Sequence, residues 1–241
     1  MQSNLQCVIP CGGNSTRIGR DTNKCLLQAG NKTILGHIVS FWQDRGINDF
    51  IFIVGGDSTT EVVRHVSKLC NKPVLINRGQ TKNLIKAVKL AKPHIKDRFV
   101  LALGDCVNFG DFTSNYPDFG VGVCIADSYE LKKSYLVHID GQGVTKLVEK
   151  PANQIGLCGM GTLFLNKKIF KYIDRLSLPE KATSVDFTGA LQLAIGEGEI
   201  VKPVFFKGDY INVTYPEDIV TVERLARIYN NQQITGKVLC C

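Results

Sequence analysis

An apolar, strand-like run from Cys7 to Cys11 leads into Gly12-Gly13-Asn14-Ser15-Thr16-Arg17-Ile18-Gly19, with Asn23-Lys24 close behind. A turn of small residues at the C-terminal edge of a strand can aim several backbone N–H groups at phosphate oxygens, and Arg17 and Lys24 would add positive charge. Exchange at a phosphoanhydride is slow largely because anions repel and the leaving pyrophosphate carries charge, so fixed donors and cations are the help it needs. The spacing is not that of a Walker A loop, because no Gly-Lys-Ser/Thr ends it, and it is not the dinucleotide fingerprint. By residue type alone the stretch could also be a flexible surface loop carrying two solvated cations. A second apolar run ends in Leu103-Gly104-Asp105. A carboxylate there is well placed when exposed at the sheet's C-terminal edge, the ligand crevice of open α/β sheets. A hard cation such as Mg²⁺ fits it, since Mg²⁺ prefers oxygen and takes only one or two ligands from protein. A helix or turn cap is the other reading of Asp105.

Three further groups are less telling by themselves. Glu149 and Lys150 end a hairpin strand that Pro151 stops, and as bare sequence they form an exposed ion pair of little worth. Gly79-Gln80-Thr81-Lys82-Asn83 precedes a helical stretch for which Asn83 is a suitable N-cap. Asp186 stands just ahead of another helical run, where an acid stabilises the helix dipole. The four histidines, His37, His65, His94 and His138, have no metal spacing and no nucleophile as partner, so they read as ordinary helix and strand residues.

Apolar β-branched runs alternating with segments of helical period must position these groups, an order that predicts helices on both faces of a central sheet. Strands are expected at Cys7–Cys11, Asp49–Val54, Pro73–Ile76 and Phe99–Leu103, with helices at Thr33–Arg45, Thr59–Leu69 and Asn83–Leu90 between them. In the first helix Ile34, Ile38, Phe41 and Trp42 share a face. This first half is Rossmann-like. The second half reads as mixed: strands at Gly120–Ala126, Tyr135–Ile139 and Val144–Val148, the last two joined by the turn Asp140-Gly141-Gln142-Gly143. A strand at Met160–Leu165, helices at Ile169–Leu176 and Val185–Ile195, strands at Ile200–Phe206 and Tyr210–Val213, and a helix at Glu217–Tyr229 complete it. The expected class is α/β, three layers α/β/α around a mixed, mostly parallel sheet. With 241 residues, no internal repeat and no linker long enough to divide the chain, one domain is expected over 1–241, with a first half 1–110, a second half 111–230 and a tail 231–241.

Composition excludes several classes. Hydrophobic residues at 44% and charged residues at 21% match a globular chain with a sizeable core. No run approaches the ~20 apolar residues that a bilayer requires, and Met1-Gln2-Ser3-Asn4 lacks the parts of a signal peptide, so no membrane partner and a cytoplasmic location are expected. The net charge of +7 favours anionic partners in general, but the basic residues are scattered and carry no nucleic-acid signature, so no nucleic acid is expected. Nine cysteines without a CxxC pair read as reduced, buried thiols, with Cys240-Cys241 a chance ending. Exposed apolar surface on the second half would serve a homo-oligomer.

Taken together, these segments resemble the sugar-phosphate nucleotidyltransferases, the pyrophosphorylases that make nucleoside-diphosphate sugars. Their signature Gly-Gly-x-Gly-Thr-Arg followed by Pro-Lys is matched by Gly12 to Arg17 and Asn23-Lys24. Leu103-Gly104-Asp105 resembles the family's metal-binding aspartate, and Val148-Glu149-Lys150-Pro151 its Glu-Lys-Pro motif. Gly159-Met160-Gly161-Thr162-Leu163-Phe164 is similar to its following glycine strand, and Tyr210 to Asp218 to its closing segment. The likeness spans about residues 5 to 226 and implies a GT-A-like fold and a Mg²⁺-dependent reaction. In that reaction the phosphate of a sugar 1-phosphate attacks the α-phosphorus of a nucleoside triphosphate and releases pyrophosphate.

The resemblance also implies roles. Gly12, Gly13, Asn14, Ser15, Thr16 and Arg17 would hold the triphosphate, Lys24 would stabilise the transition state and leaving group, and Gly104 would lie against the nucleotide. The turn carrying Gln80, Thr81 and Asn83 would lie against the nucleobase. Asp105 and Asn212 would hold the metal, although Asn212 alone reads equally as a turn residue. Glu149 would accept hydroxyls of the acceptor, Lys150 would contact its phosphate, and Gly161 and Asp186 would lie near its pocket. Three positions depart from the family pattern: Ser15 for a loop glycine, Asn23 for proline and Tyr215 for threonine. A serine narrows the approach of a triphosphate yet can donate a hydrogen bond to it. Two other readings follow: a cytidylyltransferase for a non-sugar phosphate such as a phosphorylated alcohol or choline-like compound, and a catalytically impaired relative that binds nucleotide. A glycosyltransferase fits less well, because Asp105-Cys106-Val107 lacks the second aspartate of an Asp-x-Asp motif.

Overall fold

The computed structural model describes residues 5–12, 23–81, 83–113, 115–141, 143–151, 155–176 and 187–235. The first half follows the expected alternation. β1 (Gln6–Pro10) leads to a 3₁₀ turn at Lys24–Leu26, a small hairpin of β2 (Gln28–Ala29) and β3 (Lys32–Thr33), and α1 (Ile34–Gln43). Then come β4 (Asp49–Val54), α2 (Thr59–Leu69), β5 (Val74–Asn77), α3 (Leu84–Lys89) and β6 (Arg98–Ala102). Thr33 caps α1 by accepting from the Gly36 N–H, and Asn83 caps α3 by accepting from Lys86.

The second half runs β7 (Cys106–Phe112), β8 (Gly120–Ala126), α4 (Ser128–Lys133), β9 (Tyr135–Asp140), β10 (Gly143–Glu149) and β11 (Gly156–Asn166). It closes with α5 (Ile169–Arg175), α6 (Thr188–Gly196), β12 (Lys202–Asn212) and α7 (Pro216–Thr235). Among the described residues the main sheet has ten strands, in the order β5-β4-β1-β6-β11-β8-β12-β7, with β9 also joined to β11 and carrying β10. The first four of these are mutually parallel, and β11 joins β6 antiparallel, which makes the sheet mixed.

Side-chain alternation along the strands divides the interior into two layers. Cys7, Ile9, Phe50, Phe52 and Val100 face α1, α2 and α7, whereas Val8, Ile51, Ile53, Phe99 and Leu101 face α3, α5 and α6. The architecture is therefore the expected three-layer α/β/α. All seven cysteines of the described residues are buried and free. No helix among those residues is long and apolar enough to cross a membrane.

The larger differences from expectation concern β12, β7 and α4, beside the short hairpin of β2 and β3. The strands expected at Ile200–Phe206 and Tyr210–Val213 are one strand, β12, parallel to β8 over Lys202–Phe205 and antiparallel to β7 over Phe206–Asn212. The change of partner falls between Phe205 and Phe206, and two residues further on Gly208 lies opposite Gly110, both with positive φ. A Cβ on Gly208 would lie 2.1 Å from the Phe109 carbonyl oxygen, so only glycine permits this approach. β7 was not expected, because Asn108, Gly110 and Asp111 are poor strand formers that mask its pattern. Helix α4 is only six residues long, too short for a period to register, and depends on its Asp127 cap, whose carboxylate accepts from Tyr129 and Glu130.

Candidate active site

The C-terminal edge of the parallel strands opens into two adjoining cavities. The first, about 630 Å³, is lined by the end of β1 (Pro10, Gly12), the 3₁₀ turn (Asn23 to Cys25), Arg78 to Thr81, Asn83 and Leu103 to Asp105. The second, about 240 Å³, is lined by Lys133 to Tyr135, Glu149, Lys150, Gly161, Thr188 and Asn212, among others. Lys24, Leu84, Leu103 and Asp105 line both, so the junction carries one cation and one carboxylate.

Local sequence explains how Lys24 reaches that junction. Asn23 is buried, donates to the Cys11 carbonyl at 2.5 Å and accepts from the Cys25 N–H at 3.0 Å, which pins the turn to the end of β1. The Cys25 thiol donates to the Gly104 carbonyl at 3.1 Å, tying the same turn to the end of β6. Lys24 Nζ then lies 3.4 Å from Asp105 Oδ2 and 3.0 Å from the Val213 carbonyl. The Val213 N–H donates to the Asp105 carbonyl at 2.8 Å, so β12 is anchored to the same point. The Asp105 side chain remains a third exposed.

Asn212 ends β12 opposite Cys106 and lines the second cavity. Its Nδ2 donates to the Lys133 carbonyl at 3.1 Å, and its Oδ1 accepts from the Thr214 hydroxyl at 3.3 Å. Beneath it lies a buried charge cluster. Lys133 Nζ contacts Glu130 at 2.7 Å, Asp218 at 3.0 Å and the Asn212 carbonyl at 3.0 Å. Burial alone would push the Asp218 carboxyl up, yet the N–H groups of Thr214 and Tyr215 and the Lys133 ammonium hold it below the usual range. Burial wins at Glu130, whose carboxyl is raised despite the same ammonium.

Of the site residues expected from sequence, Gly12, Lys24, Gln80, Thr81, Asn83, Gly104 and Asp105 line the first cavity. Glu149, Lys150, Gly161 and Asn212 line the second, together with Lys24 and Asp105. Glu149 accepts a hydrogen bond from the Thr188 hydroxyl, and Lys150 has φ +43°, a left-handed conformation, with its N–H donating to Ser134 at 2.8 Å. The Gly161 N–H donates to the buried Tyr210 hydroxyl at 3.0 Å. Gly13, Asn14, Ser15, Thr16, Arg17 and Asp186 lie outside the described residues.

Sequence reasoning missed Arg78 and Lys133. The Arg78 side chain lies in a slot over two glycines: a Cβ on Gly12 would fall 2.1 Å from Nε, and one on Gly55 2.4 Å from Cγ. Its guanidinium donates to the Gly12 carbonyl at 2.6 Å and to the Thr81 carbonyl, joining the end of β1 to the turn before α3. Burial lowers its pKa from the ordinary arginine value. The only sequence signal was a cation at a strand end beside the Gly79 turn. Lys133 gave none, being one of an adjacent lysine pair in a short helix.

The fold of the chain is shared with known proteins. The family model described as Nucleotidyl transferase matches residues 6–232. The UTP–glucose-1-phosphate uridylyltransferase AglF of Haloferax volcanii is 22% identical over 238 residues, covering 89% of this chain and 93% of that one. The inositol-1-phosphate CTP transferase from T. maritima superimposes with a TM-score of 0.79 at 16% identity, covering 100% of both chains. A UDP-glucose pyrophosphorylase solved with UDP-glucose gives a TM-score of 0.77 at 17% identity, covering 93% of this chain and 98% of that one.

Proposed function

The chain belongs to the nucleotidyl transferase family, and from that premise we propose that it transfers the nucleoside monophosphate of a nucleoside triphosphate to a sugar 1-phosphate. A phosphate oxygen of the acceptor attacks the α-phosphorus in line, and the bond to the β-phosphate breaks with release of pyrophosphate. The observation that carries this reading is the junction of two cavities at Lys24 and Asp105. Two substrates held one in each cavity bring their reacting atoms to the point where a fixed cation stands. No covalent enzyme intermediate is required, so catalysis is positioning and charge stabilisation.

The lining of the cavities supports a division of labour. The first is lined only by residues up to Asp105, within the 1–110 half that we assign to the nucleotide. Gly12 and the loop of Gly13, Asn14, Ser15, Thr16 and Arg17 would cradle the triphosphate, with Gln80, Thr81 and Asn83 against the base. The second cavity draws most of its lining from the 111–230 half, assigned to the acceptor. There Glu149 would accept the acceptor's hydroxyls, and Lys150 would hold its phosphate and reduce repulsion between two anions, with Asp186 near the pocket. Both halves form one domain in this reading. The seven cysteines among the described residues, all buried and free, support a reducing, cytoplasmic location.

Asp105 and Asn212 offer a carboxylate and an amide oxygen, the hard donors that suit Mg²⁺, an ion that leaves its other positions to phosphate and water. When bound, the ion would neutralise phosphate charge. Lys24, fixed by Asp105 and the Val213 carbonyl, would meet the charge that develops on the leaving pyrophosphate.

A second reading keeps the cavities and changes the acceptor to the phosphate of a non-sugar alcohol, with CTP as donor. It is favoured by the end-to-end correspondence of fold with the inositol-1-phosphate CTP transferase. Pyrophosphate release with Mg²⁺, measured over ATP, CTP, GTP, UTP and dTTP against sugar 1-phosphates, inositol 1-phosphate and phosphocholine, separates the two. A productive sugar 1-phosphate supports the first reading, and activity confined to CTP with a non-sugar phosphate replaces it with the second. Nucleotide binding with no pyrophosphate release from any pair would refute both.

A further inference from the structure

An asparagine can serve a metal only through Oδ1, and its amide must be prevented from turning Nδ2 toward the ion. The structure assigns this task to Lys133: we propose that Lys133 is a positioning residue that fixes the Asn212 amide oxygen for a divalent cation. The inference rests on the reading of Asn212 as a ligand.

Two hydrogen bonds run in opposite directions between these residues. Lys133 Nζ donates to the Asn212 carbonyl at 3.0 Å, and Asn212 Nδ2 donates back to the Lys133 carbonyl at 3.1 Å. The second bond sets the orientation of the amide, because a carbonyl accepts from Nδ2 and would repel Oδ1. It also uses one of the carbonyls that the end of α4 leaves without a helical partner. The Thr214 hydroxyl at 3.3 Å engages one lone pair of Oδ1 and leaves the other for a ligand.

Lys133 is itself held rigidly. Its side chain is 5% exposed, and Glu130, Asp218 and the Asn212 carbonyl engage its three donors. Asp218 also accepts from the N–H groups of Thr214 at 2.7 Å and Tyr215 at 2.8 Å. One cluster thus joins α4, the last residue of β12 and the first turn of α7. Without the ammonium, Glu130 and Asp218 would face each other as buried like charges, the end of α4 would shift, and the Lys133 carbonyl would leave the amide. Outer-shell partners of metal ligands typically contribute 10–100-fold in metal affinity or activity.

The test is Mn²⁺ binding followed by the electron paramagnetic resonance of free Mn²⁺, in the full-length protein with a non-hydrolysable nucleoside triphosphate bound. Lys133→Met is expected to weaken Mn²⁺ about 10-fold or more, while nucleotide affinity in EDTA stays near wild type, because Lys133 does not line the first cavity. Asn212→Ala should weaken Mn²⁺ at least as much. Wild-type Mn²⁺ affinity in Lys133→Met alongside a loss in Asn212→Ala would overturn the positioning role and leave the ligand reading intact. Wild-type affinity in Asn212→Ala would remove the ligand reading, and the inference with it. If Lys133→Met does not fold, Asp218→Asn, which neutralises one charge of the cluster at nearly constant volume, is read by the same criteria.

Discussion

Lys24 and Asp105 stand 81 residues apart in the chain and meet at 3.4 Å on the line where the two cavities join. Each is brought there by a separate device, Lys24 by the Asn23 cap on the 3₁₀ turn and Asp105 by the end of β6. The pair is partly exposed, so its contribution to folding is below about 1 kcal/mol.

Lys24→Ala should therefore melt close to wild type yet lose turnover by about 10²–10³, the cost of removing one preorganised donor from developing charge. Pyrophosphate release at saturating substrate measures it. Wild-type turnover in the variant would exclude Lys24 from the reaction.

Arg78→Ala should raise KM for the nucleoside triphosphate about 10-fold or more, since a hydrogen bond from a charged group is worth about 1.5–3 kcal/mol. KM for the acceptor should not move, because Arg78 lines only the first cavity. Gly55→Ala, whose Cβ would press on Arg78 Cγ at 2.4 Å, should reproduce part of the effect. If acceptor KM rises instead, the assignment of the first cavity to the nucleotide is wrong.

Those two sites illustrate what a sequence exposes. Asp105 could be placed in advance because it follows a strand whose pattern is strong, and Asp49–Val54 and Thr59–Leu69 were foreseen to the residue for the same reason, whereas Lys24 came from the loop behind β1 and from motif order. Glu149 and Gly161 came from motif order rather than from local chemistry. Arg78 escaped because its role depends on a slot made by Gly12 and Gly55, from two other strand ends. Lys133 escaped because its partners lie in α4, β12 and α7, up to 85 residues away, and no local period encodes such a contact. The continuity of β12 was hidden by Gly208, which as sequence looks like a break and in the fold lets the strand approach β7 closely opposite Gly110.

His37 provides a test of pH dependence. It is buried against Phe109 and bonded through Nε2 to the Ala29 carbonyl at 2.8 Å. Burial lowers its pKa below 6.5, outweighing the Ala29 bond, and Lys32 adds to the lowering. Below pH ~6.5 the unfolded chain binds a proton that the folded chain resists, so stability falls on acidification until the folded pKa is passed. Between pH 7.5 and 5 the melting temperature of His37→Phe should drop less than that of wild type. An equal drop would show that His37 is not the group responsible.

Glu149 bears on the other cavity. Its carboxylate, oriented by the Thr188 hydroxyl, is exposed and lines only the second cavity, beside Lys150. On its proposed role, Glu149→Ala would remove a charged acceptor of substrate hydroxyls, so KM for the acceptor phosphate should rise about 10-fold or more. KM for the nucleoside triphosphate should stay near wild type, because no part of the first cavity changes. Thr188→Val, which removes only the orienting hydroxyl, should shift acceptor KM in the same direction by less. Full kinetics with both substrates varied distinguishes these cases: a rise confined to the nucleotide would reverse the assignment of the two cavities, and no rise in either would take Glu149 out of the site.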